Sequence, residues 1–175
     1  MRIALVHMRH AHSGGTERYL NLVSAFLANA GHEVVVVCRT HEEPAHAEVR
    51  FEVLRPSSIT GAGRMLNFAK AVEAHVATAG YDLVFGLGKT WSHDVIRMGG
   101  GCHGTYMDLA HDATLTPIER LFRKGARKHR LALEIEQRAL AASTARRGGG
   151  RPLVITNSEL VKRDVIERHG LGENG

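Results

Sequence analysis

Two short stretches near the N-terminus decide the fold: residues 2–6 read RIALV, and residues 13–18 read SGGTER. The first is an apolar run typical of a buried strand, and the second is a glycine turn that leads into the helical pattern of residues 19–27. Glycine lets the backbone approach a ligand closely, and the first N–H groups of a helix have no partner within the helix. This order predicts an anion site at the first βα turn of an α/β fold.

The turn differs from the best-known phosphate-binding motifs. It is not G-x-G-x-x-G, and no Gly-Lys-Ser/Thr follows it, so the dinucleotide fingerprint and the Walker loop are both missing. An ordinary tight turn without a ligand is an equally good interpretation of the glycines alone. If a phosphate binds here, Gly14 and Gly15 lie beneath it, while Thr16 either contacts the phosphate or caps the helix, the role that its residue type favours.

Predicted strands and helices alternate along the rest of the chain. Strands are predicted at residues 34–38, 48–54, 82–86, 94–98 and 153–156, and helices at residues 65–79, 117–144 and 159–168. This alternation favours a Rossmann-like α/β fold, an open and mostly parallel sheet with helices on both faces. We expect one domain over residues 1–170, with a tail or the start of a linker at residues 171–175.

Composition narrows the class of protein. With 175 residues and 43% hydrophobic content, the chain is large enough for a sizeable core. The sequence shows no membrane-spanning stretch and no secretory leader, and the scarce, widely spaced Cys38 and Cys102 fit a reducing compartment, so we expect a cytoplasmic protein. The net charge of +5 indicates an anionic partner or simply a solvated basic face. No nucleic-acid-reading motif and no zinc motif accompany it, so we expect neither partner.

Two loops that follow predicted strands carry further candidate residues. Residues 88–93 read GKTWSH, where Lys89 and Trp91 are candidates to contact a sugar, because an aromatic face stacks on apolar sugar C–H groups, although a lone tryptophan is more often a buried anchor. Residues 99–103 read GGGCH and place His103 at the sheet edge where α/β proteins bind ligands. Asp94 is a second candidate functional residue, with a capping role equally compatible with its position. Arg18, on the first turn of the predicted helix, either faces a ligand cleft or belongs to a surface pair.

A basic segment with interleaved apolar residues runs from Arg120 to Arg130. Such a segment is typical of helices that lie on anionic lipid, and equally of a solvated helix face. The first interpretation predicts a protein that is peripheral on the inner face of a membrane.

Four segments, in their order and spacing, resemble the N-terminal domain of a retaining GT-B glycosyltransferase of the family 4 type, similar to lipopolysaccharide-core glucosyltransferases and mannosyltransferases. They are residues 14–34, 81–84, 94–103 and 154–165. The resemblance implies the acceptor-side half of a two-domain enzyme, with the C-terminal donor-binding domain absent and the fragment alone inactive.

The resemblance also implies roles for the candidate residues. The full enzyme moves a hexose from a nucleotide diphosphate sugar to a glycan or a lipid-linked acceptor, with retention and without a metal or other cofactor. Gly14, Gly15 and Thr16 then bind the donor diphosphate, and the catalytic candidates are His103 and Asp94. Lys89, Trp91 and Arg18 are the acceptor-binding candidates. The alternative is a non-catalytic basic α/β module that binds an anionic membrane or a phosphorylated ligand.

Overall fold

Within the described residues, six parallel strands form one sheet. A computed structural model describes residues 1–42, 46–111, 127–141 and 150–172. The strands are β1 (Arg2–Val6), β2 (Glu33–Cys38), β3 (Val49–Val53), β4 (Leu83–Gly86), β5 (Val95–Met98) and β6 (Leu153–Thr156). Their spatial order is β3-β2-β1-β4-β5-β6. The direction of strand addition therefore reverses between β1 and β4, which is where open α/β sheets bind ligands.

The helices described in the structure are α1 (Gly15–Asn29), α2 (Gly61–Thr78), α3 (His103–His111), α4 (Arg127–Leu140) and α5 (Glu159–His169). They cover both faces of the sheet, as the packing of alternate side chains of β1 against different helices shows. Leu5 packs in one cluster with Leu20 of α1, and Val6 packs in another with Phe68 of α2. The predicted Rossmann-like fold is confirmed. None of these helices combines the length and the apolar character needed to cross a membrane.

Local capping signals explain both ends of α5 and the start of α2. The Ser158 hydroxyl accepts a hydrogen bond from the Val161 N–H at 3.3 Å, and Gly170 ends α5 with φ of 60°, as its sequence pattern predicts. The helix α2 starts earlier than predicted, at Gly61, because the Thr60 hydroxyl accepts from the Gly63 N–H at 3.0 Å. That cap outweighs the low helix propensity of the first glycines.

Two helical predictions have a different outcome. The helix predicted over residues 117–144 is observed as α4 over residues 127–140. Residues 117–126 and 142–144 lie outside the described residues. The sequence analysis predicts no helix at α3. This helix begins directly after a run of glycines, and the groups that cap it come from distant parts of the chain.

A substitution at Gly86, the last residue of β4, should test the packing behind the site. A Cβ on Gly86 would lie 2.3 Å from Cε1 of His93, a buried ring that has no room to move. We expect Gly86→Ala to lower the free energy of unfolding by about 2–3 kcal/mol, because overpacking a core costs this much. Gly61→Ala is the matched control, since its Cβ meets only a flexible arginine at 3.7 Å; it should be neutral or stabilising. Equal urea midpoints for the two variants would contradict this packing.

The same buried histidine should make the fold sensitive to acid. Burial lowers the pKa of His93 from 6.5 to about 3, and its Nε2 lies 2.8 Å from the Thr90 hydroxyl. The unfolded chain takes up a proton near pH 6.5 that the folded protein does not accept until about pH 3, so stability falls as the pH drops through this window. We expect a loss of about 2 kcal/mol between about pH 7 and about pH 5 from this residue. Urea unfolding of His93→Gln should show a correspondingly shallower dependence on pH, and an unchanged dependence would contradict the assignment.

Candidate functional site

A cleft opens at the C-terminal edge of the sheet, beside the point where the strand order reverses. The start of α1, the loop after β4, the end of β5 with its glycine run, and α4 form its walls. The lining residues are Thr16, Leu87, Gly88, Lys89, Thr90, Ile96, Arg97, Met98, Gly99, Gly100, Gly101, Ile135, Glu136 and Ala139. The structure therefore brings the predicted phosphate turn and the predicted acceptor loops to one place.

The start of α1 presents uncapped backbone to this cleft. Gly14 is the N-cap residue, with φ of 110°, and because it has no side chain it makes no side-chain cap hydrogen bond. The expected capping role of Thr16 is therefore wrong: Thr16 is the second residue of α1 and lines the cleft instead. A Cβ on Gly15 would meet nothing within 4 Å. The first N–H groups of α1 and the space above Gly15 thus form a backbone surface suited to an anion.

The two glycines of the turn have different tasks. At Gly14 the positive φ disfavours any L side chain, and a Cβ would lie 2.2 Å from Oε2 of Glu17. Glu17 is the acidic residue of the first turn, and its Oε1 lies 3.9 Å from Nε2 of His7. Burial lowers the pKa of His7, against the opposing influence of Glu17. Gly14 is thus required by the turn itself, whereas Gly15 leaves space that the protein does not fill.

Arg97 adds a cation to the cleft that the sequence analysis does not identify. It belongs to β5, its guanidinium lies 4.1 Å from the centroid of the Tyr19 ring, and a Cβ on Gly99 would touch it. Gly99 therefore makes room for this side chain along the cleft wall. The signal was present in the sequence as one cation within an otherwise apolar strand, residues 95–98, VIRM.

His103 and Lys89, both predicted site residues, are in direct contact. Nζ of Lys89 lies 2.9 Å from Nδ1 of His103, and Nε2 of His103 lies 3.1 Å from Nδ1 of His129. Burial, with the neighbouring Lys89 and His129, lowers the pKa of His103 to about 4. Burial also lowers the pKa of Lys89. The tautomer that fits these contacts is a neutral imidazole that accepts from Lys89 at Nδ1 and carries its proton on Nε2.

Carboxylates from two other helices hold the start of α3. Oε2 of Glu136 accepts the His103 N–H at 2.9 Å, and Oδ2 of Asp164 accepts the Cys102 N–H at 2.9 Å. Asp164 also accepts from the Thr105 hydroxyl and from Nε of Arg168. These bonds cap α3 and fix the backbone of His103. Local sequence patterns could not reveal them, because the partners lie 33 and 62 positions away along the chain.

Trp91 is a buried anchor and not an open platform for a sugar. Its side chain is 2% exposed, and the Arg138 guanidinium covers the ring at 4.1 Å from the centroid. The prediction that Trp91 stacks on an acceptor is therefore corrected. An exposed aromatic residue does lie beside His103: Tyr106 is 59% exposed, and the two ring centroids are 5.8 Å apart. Tyr106 falls in a stretch without a recognised helix, so its position beside His103 was not predicted.

Asp94 lies at the opposite end of β5 from His103. Its Oδ2 accepts the Val84 N–H at 2.7 Å, which ties the start of β5 to β4. The catalytic expectation for Asp94 is corrected, because the carboxylate supports the sheet away from the cleft. Arg18 is exposed on the first turns of α1, and its acceptor contact stays a prediction.

One group of side chains within the described ranges has the composition of a metal site. Ligand atoms of Cys102, Glu136 and His169 all lie within 4.8 Å of one another. Burial and the nearby Glu136 and Asp164 carboxylates raise the pKa of Cys102 to about 12. The free thiol is therefore a poor nucleophile.

A Rossmann-like domain with a cleft at the switch point places the chain in a broad class of ligand-binding α/β proteins. A family model narrows this class. The model described as Glycosyltransferase Family 4 matches residues 13–174, and the chain belongs to this family.

Solved structures agree with the fold. WaaG, a glycosyltransferase involved in lipopolysaccharide biosynthesis, superimposes with a TM-score of 0.80 at 17% identity, over 98% of this chain and 43% of WaaG. Sucrose-phosphate synthase from Thermosynechococcus elongatus gives a TM-score of 0.52 at 17% identity, over 89% of this chain and 47% of the synthase. A comparison with curated proteins gave no match. The chain thus has the fold of the N-terminal part of a GT-B enzyme and spans less than half the length of these two proteins.

Proposed function

We propose that this chain is the acceptor-side domain of an enzyme that transfers a hexose from a nucleotide diphosphate sugar to a glycan or a lipid-linked acceptor, with retention of the anomeric configuration. The observation that carries the proposal is the shared cleft: the uncapped start of α1, Arg97 and Lys89 line one cavity at the switch point of a family 4 domain. A second groove, which contains His103 and Tyr106, shares Lys89 with it. Backbone donors and cations suit a diphosphate, and the adjoining groove suits a sugar.

The donor diphosphate is proposed to lie above Gly14 and Gly15. The N–H groups at the start of α1 donate to its oxygens, and Thr16 contributes from the cleft wall. As negative charge develops on the leaving diphosphate, these dipoles and Arg97 stabilise it, together with basic groups of a C-terminal domain. This arrangement needs no divalent ion and no further cofactor.

His103 is proposed to contact the transferred sugar as a hydrogen-bond donor. With Nδ1 engaged by Lys89, the proton on Nε2 is available for a sugar hydroxyl in place of His129. A neutral ring with a low pKa is a weak proton acceptor at neutral pH. His103 therefore orients the sugar, while the leaving phosphate accepts the acceptor proton. Lys89 keeps His103 in this tautomer and lines the acceptor groove.

Tyr106 is proposed as the aromatic contact for the acceptor. We expect Tyr106→Ala to raise the acceptor KM by roughly 5-fold, because an aromatic contact contributes about 1 kcal/mol. Tyr106→Phe keeps the ring and should stay close to wild type. Initial rates of the full-length gene product over a range of acceptor concentrations measure both variants. A Phe variant as impaired as the Ala variant would show that the hydroxyl, and not the ring face, is what matters.

The proposed location is cytoplasmic, with peripheral contact to the inner face of a membrane. It rests on the basic segment Arg120–Arg130, of which residues 120–126 lie outside the described residues. Arg127, Lys128 and Arg130 are exposed at the start of α4, where they favour an anionic surface. No partnership with nucleic acid is proposed.

Stereochemistry tests the transfer reaction. The full-length gene product is incubated with an α-linked nucleotide sugar and an acceptor, and the anomeric proton of the product is followed by NMR. An α-linked product at early times supports retention. A β-linked product would overturn retention, and an unmodified donor would favour the non-catalytic binding module.

A further inference from the structure

We propose that Cys102, Glu136 and His169 form a binding site for one zinc ion, a proposal that does not rest on the proposed transfer; the site adjoins the diphosphate cleft, whose wall Glu136 also lines. The ligand atoms lie within 4.8 Å of one another. Each comes from a different part of the fold: Cys102 immediately precedes α3, Glu136 lies within α4, and His169 is the last residue of α5. An ion bound here would join three helices.

The donor set and its geometry fit zinc. Thiolate sulfur, imidazole nitrogen and carboxylate oxygen are the ligands that zinc takes in proteins. Oε1 of Glu136 lies 3.3 Å from Nε2 of His169. This separation matches the distance of roughly 3.3 Å between two tetrahedral ligands that are each about 2.0–2.1 Å from the metal. Small side-chain movements therefore suffice to complete the site.

Binding does not require the cap of α3 to open. Both oxygens of Glu136 accept the His103 N–H, Oε2 at 2.9 Å and Oε1 at 3.2 Å, and Oε1 is also the oxygen that faces His169. One carboxylate can thus bind the ion through Oε1 and keep its backbone bond through Oε2. The thiol proton leaves on binding, His169 binds through Nε2 as a neutral imidazole with its proton on Nδ1, and the thiolate and carboxylate then balance the charge of the ion.

The surroundings allow a fourth ligand to enter. Cys102 and Glu136 line the open groove that also contains Lys89, His103 and Tyr106. Solvent in this groove can supply a water as the fourth ligand, the pattern of a zinc site with three protein ligands. Hydrogen bonds explain the groups separately, His169 with Glu136 and the Cys102 thiol with Asp164. The convergence of all three ligand atoms on one point is what favours the ion.

Cobalt binding tests the site without any measurement of transfer. Untagged, reduced and metal-free protein is titrated with Co²⁺ and followed by absorption spectroscopy, because a thiolate–cobalt bond gives a charge-transfer band. We expect one equivalent to bind, with the band present, and Zn²⁺ to displace it. Cys102→Ser should abolish the band, and His169→Gln should weaken binding by about 100-fold or more. Cys38→Ser, which alters the other buried thiol, is the matched control and should keep the band.

Thermal unfolding supplies the second readout. Zn²⁺ at about a hundredfold excess over its Kd should raise the Tm of the wild type and of Cys38→Ser by roughly 5–10 °C. The Tm of His169→Gln should not respond, and this variant decides the matter if Cys102→Ser fails to fold. Absence of the cobalt band in the wild type, its persistence in Cys102→Ser, or its loss in Cys38→Ser would overturn the proposal.

Discussion

Gly15→Val in the full-length gene product is expected to reduce transfer by roughly 1000-fold with little change in stability. Among the described residues the space above Gly15 is empty, since a Cβ there meets none of their atoms within 4 Å. A valine therefore fits the fold, but it occupies the position proposed for the donor diphosphate and blocks the N–H groups of α1. Loss of such preorganised donors accounts for an effect of this order. Steady-state kinetics and urea unfolding measure the two quantities.

Gly61→Val is the matched control for this substitution. Gly61 is the first residue of α2, as Gly15 is of α1, and it does not line the cleft. The two variants share the same change in helix propensity, so their free energies of unfolding should differ by less than about 1 kcal/mol. Only Gly15→Val should lose donor binding. Wild-type turnover in Gly15→Val would show that the donor diphosphate does not bind at this turn.

His103→Ala is expected to lower kcat on the order of 100-fold and to change donor affinity much less. The proposed hydrogen bond from Nε2 holds the sugar in the orientation that reaction requires, so its loss acts mainly on the transition state. The cap at the start of α3 uses the backbone N–H of His103, which the substitution leaves in place. Single-turnover rates and calorimetric donor titrations separate the two effects.

His103→Gln distinguishes the possible roles of this ring. Glutamine keeps an N–H donor but has no titratable group. If His103 donates a hydrogen bond, the Gln variant should recover a large part of the lost turnover. Equal losses in both variants would indicate proton transfer by the ring, and no loss in either would make His103 a bystander.

The fold was largely predictable from local patterns. A few adjacent residues suffice to recognise a buried strand such as residues 34–37, VVVV, or a helix end such as Gly170. The same is true of the turn at Gly14 and Gly15, which lies where the sequence indicated. Strand order then follows from the chirality and short connections of parallel α/β units.

The candidate site was less predictable, because its geometry depends on contacts between distant residues. Trp91 and Tyr106 are an example, because composition alone does not show which of the two aromatic rings is covered by a side chain of α4. The carboxylates of Glu136 and Asp164 look like ordinary helix residues in the sequence, yet they fix the backbone before and at His103. Local helix propensity does not predict α3 for the same reason, because the groups that cap this helix come from distant parts of the chain.

Donor hydrolysis is the measurement that tests the central claim most directly. The full-length gene product is incubated with UDP-, GDP- and ADP-sugars in the absence of an acceptor, and slow release of the nucleoside diphosphate is followed. We predict release with one donor, which would identify the nucleotide sugar, and its loss in Gly15→Val but not in Gly61→Val. A folded protein that releases no diphosphate and binds none of the donors by calorimetry would contradict the account and favour the non-catalytic module.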